Sequence, residues 1–396
     1  MAREFDMVLF GATGFVGQLT AEYLSEHAPQ SAVALAGRSR ARLESLRERL
    51  EHPDWGILEA DVDDEPSIRR LAESGRVIIS TVGPYLRLGE PLVAACAAAG
   101  SDYVDLTGEA EFIDTMYLRH HARARQSGAR LVHSCGFDSI PYDLGALFTV
   151  LQLPSDVPIA LRGFGLAHGS ISGGTFHSAV GALGRLKESG RAARQRRSVE
   201  RNAEDGRLAE GRRVRGRPGR PHNEPLAGGW VVPVPTVDPQ HVLRSARLNP
   251  RYGPDFSYSH YIVTKRLSAT AGLGLGVGLV AALAQLEPTR NLLLRVRSPG
   301  SGPDAARRAR SFFRVRMVAD YTTAADGPRR LITEVTGGDP GYGETAKMLA
   351  ESALTLAGQE ELPVGGGQWT PALALGPPLI ERLTRAGIGF RVVEAA

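Results

Sequence analysis

Cysteine is nearly absent. Only Cys96 and Cys135 occur in 396 residues, which excludes a disulfide framework and points to a reducing compartment. The ten histidines and two cysteines nowhere show ligand spacing, so no metal is expected. The amino terminus enters an apolar strand almost at once and offers no basic, apolar, small-residue leader, so no signal peptide is expected. Acidic charge is scarce in one stretch: between Arg185 and Arg220, thirteen Lys or Arg stand against five Asp or Glu. That stretch alone carries +8 in a chain of net charge +4, so the basicity is local. It also lacks Phe, Tyr and Trp, the side chains that nucleic-acid recognition interleaves with cations, and no nucleic-acid partner is expected.

What is present is a globular chain, 42% hydrophobic and 23% charged, long enough for two domains with separate cores. It is organised around residues 6–17. The apolar run Asp6-Met-Val-Leu-Phe10 leads into Gly11-Ala-Thr-Gly-Phe-Val-Gly17. A strand that breaks on glycine and restarts as a helix suits a pyrophosphate, because glycine permits a tight turn and the helix start presents unpaired N–H groups. Gly11, Thr13, Gly14, Phe15, Val16 and Gly17 are therefore the expected cofactor-binding residues. Strands are predicted at 6–10, 32–36, 56–60, 77–81, 102–106 and 130–134 with helices between them, which is the pattern of a doubly wound parallel sheet.

The predicted second strand ends without the Asp or Glu that meets a free ribose 2′-hydroxyl. Arg38, Ser39 and Arg40 stand there instead, a set suited to a 2′-phosphate, so NADPH is favoured over NADH. The alternative is that these arginines are simply solvated at a helix start. After the third strand, Asp61 and Val62 are read either as the adenine contact or as part of an acidic helix cap. The fourth strand ends at Thr81 and empties into Val82, Gly83 and Pro84, where the nicotinamide half should lie. Two more loops, 103–109 and 133–145, open at the same sheet edge. The second gathers Asp138 and Tyr142 ahead of a helix start, as caps or as chemistry.

Past residue 150 the alternation stops. Residues 1–150 are read as the dinucleotide-binding Rossmann domain, 151–340 as an α+β domain with a mainly antiparallel sheet, and 341–396 as helices packing back on the first domain. Gly173, Gly174, Thr175 and His177 fall in a small-residue turn that either approaches the substrate or caps a helix. The basic insertion 185–225 is read as solvated surface or as a contact for anionic lipid headgroups. Residues 269–286 carry no charge, and three readings stay open for them: a buried helix, a segment dipping into a membrane face, or a true span. Tyr261 and Lys265 have the spacing of a catalytic pair on a helix, but the flanking residues alternate as a strand, which separates them.

Gly11-Ala-Thr-Gly-Phe-Val-Gly17, Ala36-Gly-Arg-Ser39, Ser80-Thr-Val-Gly-Pro-Tyr85, the 103–109 loop and the Cys135–Gly145 loop resemble the saccharopine dehydrogenase-like oxidoreductases, within them the trans-acting enoyl reductases of actinobacteria. Ser172-Gly-Gly-Thr175, Gly341-Tyr-Gly-Glu-Thr-Ala346 and Thr370-Pro-Ala-Leu-Ala-Leu-Gly376 continue the likeness over nearly the full length. The resemblance implies NADPH-dependent reduction of a carbon–carbon double bond in a lipid or polyketide-like acyl chain. Such a reaction sends hydride to the β-carbon and a proton to the α-carbon. Tyr142 and His177 are the candidate proton donors, with Tyr85 and Asp138 positioning the substrate. The expected partners are a hydrophobic small-molecule or acyl substrate, an anionic membrane touched peripherally, and a second copy in a homodimer. The expected location is cytoplasmic, peripheral at the inner face of the plasma membrane. Two rival readings are a saccharopine-like imine oxidoreductase and a non-catalytic NADPH-binding scaffold docked on a membrane.

Overall fold

The structure is a computed structural model, and it describes residues 3–169, 180–181, 183–202, 211–234, 236–295, 304–323, 325, 327–358 and 362–395. Six βα units open the chain: β1 (Phe5–Phe10), α1 (Phe15–His27), β2 (Val33–Gly37), α2 (Arg40–Arg49), β3 (Gly56–Glu59), α3 (Glu65–Ser74), β4 (Gly75–Ser80), α4 (Tyr85–Leu88), α5 (Glu90–Ala99), β5 (Asp102–Asp105), α6 (Ala110–Ser127), β6 (Arg130–Val132) and α7 (Ile140–Leu151). The strands are short and apolar on both faces, as β1 and β4 show with Met7, Val8, Leu9, Val77, Ile78 and Ile79 all fully buried, because helices cover both sides of a parallel sheet. The sheet runs β6-β5-β4-β1-β2-β3, with one more strand from the tail, Gly367–Trp369, at the β6 edge. Chain order reverses between β1 and β4, and that switch point opens a ligand crevice at their carboxyl ends.

The second half contributes β7 (Ile159–His168), α8 (Leu186–Asn202), β8 (Arg213–Gly216), β9 (His222–Glu224), β10 (Gly229–Val232), α9 (Asp238–Leu248), β11 (Asp255–Thr264), α10 (Leu267–Ala284), α11 (Glu287–Arg295), α12 (Ala305–Ala309), β12 (Phe312–Thr323) and β13 (Gly327–Gly337). The tail adds α13 (Gly343–Ala357), β14 (Gly367–Trp369), α14 (Pro371–Ala374), α15 (Gly376–Arg385) and β15 (Gly389–Ala395). The second sheet runs β15-β13-β12-β7-β11-β10-β9, with β8 also on β11. It is mixed: β11 lies parallel to β7 and to β8, and the remaining pairs are antiparallel.

The expected domain boundaries need three corrections. β14 pairs in parallel with β6, so the first sheet has seven strands and takes its last from the tail. β15 joins β13 of the second sheet, so the tail serves both sheets instead of packing on the first alone. Helix α7 belongs to the joint between them. Gly145 faces Val335 and Met317 of the second sheet, and buried Asp143 accepts hydrogen bonds from Ser245 Oγ and from the Ala372 amide.

Two sequence ambiguities are resolved by burial. α8 buries one face against α6 and leaves the other in solvent: Arg196 and Glu200 are buried, in an ion network of Arg196 with Asp114 on α6 and of Glu200 with Arg196 and Arg244, while Lys187, Arg191, Arg194, Arg197 and Arg201 are exposed. Such charges stay inside only because each is paired. The buried-helix reading of 269–286 is overturned for the residues described, since Leu275 and Leu279 on α10 are 76% and 61% exposed and Gly272, Gly274, Gly276 and Gly278 have open space around them. No helix among the described residues is long and apolar enough to cross a membrane.

Candidate cofactor and active site

The phosphate cradle is built from backbone. Gly11 has φ +85°, and a Cβ there would stand 2.6 Å from Thr81 Oγ1 and 2.8 Å from Val82 Cγ2; only glycine fits. A Cβ on Gly17 would stand 2.2 Å from Gly11 O, so this glycine lets α1 close onto the loop. Thr81 Oγ1 donates to Gly11 O at 3.1 Å and ties the end of β4 to the cradle. Gly14 caps α1 without any side-chain hydrogen bond, and no acid sits in the first turn. The helix start is thus left electropositive with its N–H groups directed at the crevice, the arrangement that suits a dinucleotide's pyrophosphate.

At the end of β2, Arg38 is exposed and has no ion-pair partner among the described residues. Ser39 is the N-cap of α2 and makes no side-chain cap bond. Arg40 is shared with Glu44 at 3.4 Å, which leaves Arg38 the freer cation. Arg42 reaches back to Thr13 O at 3.4 Å. With Gln18 and Arg49 these two residues line a cleft of about 310 Å3.

The crevice floor is held by carboxylates. Fully buried Asp105 accepts from the amides of Thr107 and Ser134 and from Tyr103 Oη, and faces His133 Nδ1 at 2.7 Å. Glu109 accepts from the amides of Tyr85 and Leu86, at the start of α4. The 136–138 turn is fastened to α13, because the Phe137 amide donates to Thr345 Oγ1. This turn brings Asp138 over the 103–109 loop: a Cβ on Gly108 would meet Asp138 Oδ2 at 3.2 Å. Asp138 is half-buried, with no hydrogen bond to the described residues, and desolvation pushes its carboxyl up to about 6.

Behind it runs a polar wall. Tyr142 lies with its hydroxyl against Gly165 and its ring 4.6 Å from that of His260. His260 is bracketed by Tyr258 Oη and Thr236 Oγ1, each at 3.2 Å, and stands 3.8 Å from Asp238. Burial lowers His260 to about 3, so its imidazole is uncharged near neutral pH, and burial raises Asp238, with nearby Asp138 adding to the latter shift. Burial likewise raises the Tyr142 phenol.

Residues 7–132 match the saccharopine dehydrogenase NADP binding domain. A trans-acting enoyl reductase of Mycobacterium ulcerans is 35% identical over 98% of this chain and 97% of its own, and one of Mycobacterium bovis is 36% identical over 98% and 97%. The chain belongs to the saccharopine dehydrogenase-like oxidoreductases, in their trans-acting enoyl reductase branch. A relative from Mycobacterium tuberculosis is 40% identical over 100% of this chain and 99% of its own length. The fold is shared with apo saccharopine dehydrogenase of Saccharomyces cerevisiae, at TM-score 0.56 and 12% identity over 98% of this chain and 100% of that one. The protein is accordingly an NADPH-dependent oxidoreductase.

The residues expected from sequence to hold the cofactor, Gly11, Thr13, Gly14, Phe15, Val16 and Gly17, lie together in the turn from β1 into α1, with Thr81 and Val82 beside it and Gly83 and Pro84 exposed at the rim. Arg38, Ser39 and Arg40 lie at the adjacent edge. Asp61 accepts from the Asp63 amide and so orders its own turn, while Val62 packs partly buried against the core beside Ala60. Tyr85 requires correction: it is 6% exposed, its hydroxyl donates to Ser80 O and accepts from the Leu106 amide, and these bonds commit it to the framework rather than to substrate. His177, with Gly173, Gly174 and Thr175, lies outside the described residues. Asp105 and Thr345 fall in stretches the sequence singled out but were given no role there, while Asp238 and His260 were not singled out, since single polar residues in a strand or at a helix start announce no shared site. Arg42 had a signal, a further arginine in the first turn of the helix that follows Arg38.

Proposed function

We propose that the reductase uses NADPH to saturate the α,β double bond of a hydrophobic acyl substrate in lipid or glycolipid biosynthesis, with Asp138 as proton donor. The observation that carries this reading is the half-buried carboxyl of Asp138, lacking a described hydrogen-bond partner and raised to about 6, at the crevice edge where β4, β5 and β6 end. Bound NADPH supplies the hydride that reduces the β-carbon. Asp138 gives its proton to the α-carbon and recovers one from water, so one C=C π bond is replaced by two C–H bonds. His260, lowered to about 3 by burial, adds no cation to the wall behind it that would favour the ionised carboxyl. Half-buried Phe137, 5.1 Å from Phe313 and 6.4 Å from Tyr142 between ring centroids, gives an acyl chain an apolar wall. This role replaces the positioning role expected of Asp138 and leaves Tyr142 to shape the site.

Peripheral attachment to an anionic membrane belongs to the same proposal. Leu267, Leu275, Leu279, Leu286 and Leu292 on and around α10 and α11 are all more than half exposed, beside Lys265 and Arg266, which provides the pairing of apolar and cationic groups that reversible attachment uses.

The test is oxidation of NADPH by the full-length protein on addition of a long-chain 2-enoyl thioester, with formation of the saturated product. Turnover of the enoyl thioester supports the proposal. NADPH binding without turnover favours the scaffold, and turnover of a saccharopine-like imine in its place favours amino-acid chemistry.

A further inference from the structure

We infer that Arg308, carried by the second domain, is a pyrophosphate-binding residue of the cofactor site. The inference rests on the NADPH assignment and assigns a role to a side chain outside the dinucleotide-binding fold. The guanidinium of Arg308 lies 5.8 Å from the ring centroid of Phe15, the first residue of α1 and part of the phosphate cradle. On the same ring, Tyr342 packs edge-on with centroids 4.9 Å apart. Phe15 is therefore met both by a cation from α12 and by an aromatic from the start of α13.

The backbone around Arg308 is fixed on both sides. Its amide donates to Asp304 O at 3.1 Å, and its carbonyl accepts from the Ser311 amide at 2.9 Å. Asp304 caps the same turn through the Arg307 amide, and Ser311 Oγ donates to Arg307 O. Ser311 in turn abuts Gly169, at the end of β7, which also faces Pro340. The turn that bears Arg308 is thus built into the crevice rim.

The chemistry of the cradle calls for such a cation. A pyrophosphate carries two negative charges, whereas a helix start supplies roughly half a positive charge. Residues 11–17 contain no Lys or Arg, and Arg38 and Arg40 stand at the end of β2, on the 2′-phosphate side. A guanidinium adds both charge and a fork of donors to phosphate oxygens. Because Arg308 arrives from beyond β7, its contact with phosphate also links cofactor binding to the seating of the second domain on the crevice.

Titration of the full-length protein with NADPH, followed by nicotinamide fluorescence, and with adenosine 2′-phosphate, which lacks the pyrophosphate, tests the inference. Arg308→Ala is expected to weaken NADPH about tenfold or more, the effect of one charged hydrogen bond, while leaving adenosine 2′-phosphate within about twofold; Arg308→Lys should retain part of the affinity. Arg38→Ala should instead weaken both ligands. An unchanged NADPH affinity in Arg308→Ala, or an equal loss for both ligands, overturns the inference. Failure of the unaltered protein to bind NADPH overturns the cofactor assignment and the inference with it. Because Arg308 sits on a partly exposed surface turn, matching thermal unfolding of variant and parent checks that the fold is intact.

Discussion

Asp138 shows how position sets the chemistry of a common residue. Its carboxyl is raised from 3.8 to about 6 by desolvation, so between those values the folded protein holds a proton that the unfolded chain has released. The native state binds more protons in that window; stability therefore falls as pH rises through it, and the penalty is complete above about 6. Asp138→Asn removes the charge. It should stabilise the protein at pH 7.5, by about 1 kcal/mol after allowance for partial solvent exposure, and the gain should fade toward pH 4. In the parent, kcat/KM should decline as pH rises through about 6, and the variant should lose both that inflection and turnover by about 10²-fold. Asp143 is likewise pushed up to about 6, but hydrogen bonds from Ala372 and Ser245 commit it to the framework, so an inflection that survives in Asp138→Asn would assign the titration elsewhere and reject Asp138 as the acid.

At the scale of the element, spacing misleads until the secondary structure is known. Tyr261 and Lys265 would share one face of a helix, but Tyr261 lies on β11, stacked on Phe164 with ring centroids 5.5 Å apart, and Lys265 follows the strand in solvent. Lys265→Ala should therefore leave kcat within about twofold, whereas a catalytic lysine would lower it by about 10²-fold or more; steady-state kinetics on the folded variant decides between them. The alternation of aromatic and β-branched residues made this strand legible, as the 3.6-residue apolar period made α13 legible over Gly343–Ala357. The basic insertion was not legible in the same way. Charge along a sequence says nothing of the acids that wait elsewhere, and Arg196 turns inward only because Asp114 and Glu200 meet it.

At the scale of the molecule, the proposed membrane attachment draws on two helical segments that meet at one end. The amino end of α8 meets the α10–α11 junction, where Gln285 Nε2 donates to Leu183 O and Arg290 packs on Gly184. Exposed Leu186 and Val199 on α8 stand among Lys187, Arg191, Arg194, Arg197 and Arg201, also exposed. The proposed attachment to a bilayer draws on these residues together with the α10 leucines. We predict co-sedimentation with anionic vesicles at low salt and release at high salt, because electrostatic attraction is screened over a Debye length of roughly 10 Å at 0.1 M. Absence of binding to anionic vesicles at low salt would reject the surface, and Leu275→Asp with Leu279→Asp should abolish binding without altering NADPH affinity.

The sequence by itself determined the parallel sheet, the glycine cradle and the choice of cofactor, because each depends on neighbours along the chain: strand period, a turn that only glycine can make, and the residue type that ends β2. Tertiary structure alone decided the rest. The seventh strand of the first sheet comes from the tail, Tyr85 is consumed by Ser80 and Leu106, and Asp138 becomes a candidate acid because 136–138 is anchored to Thr345 from more than two hundred residues away. The proton affinity of a carboxyl is set by the solvent and charges that surround it, and those surroundings exist only once distant segments have packed.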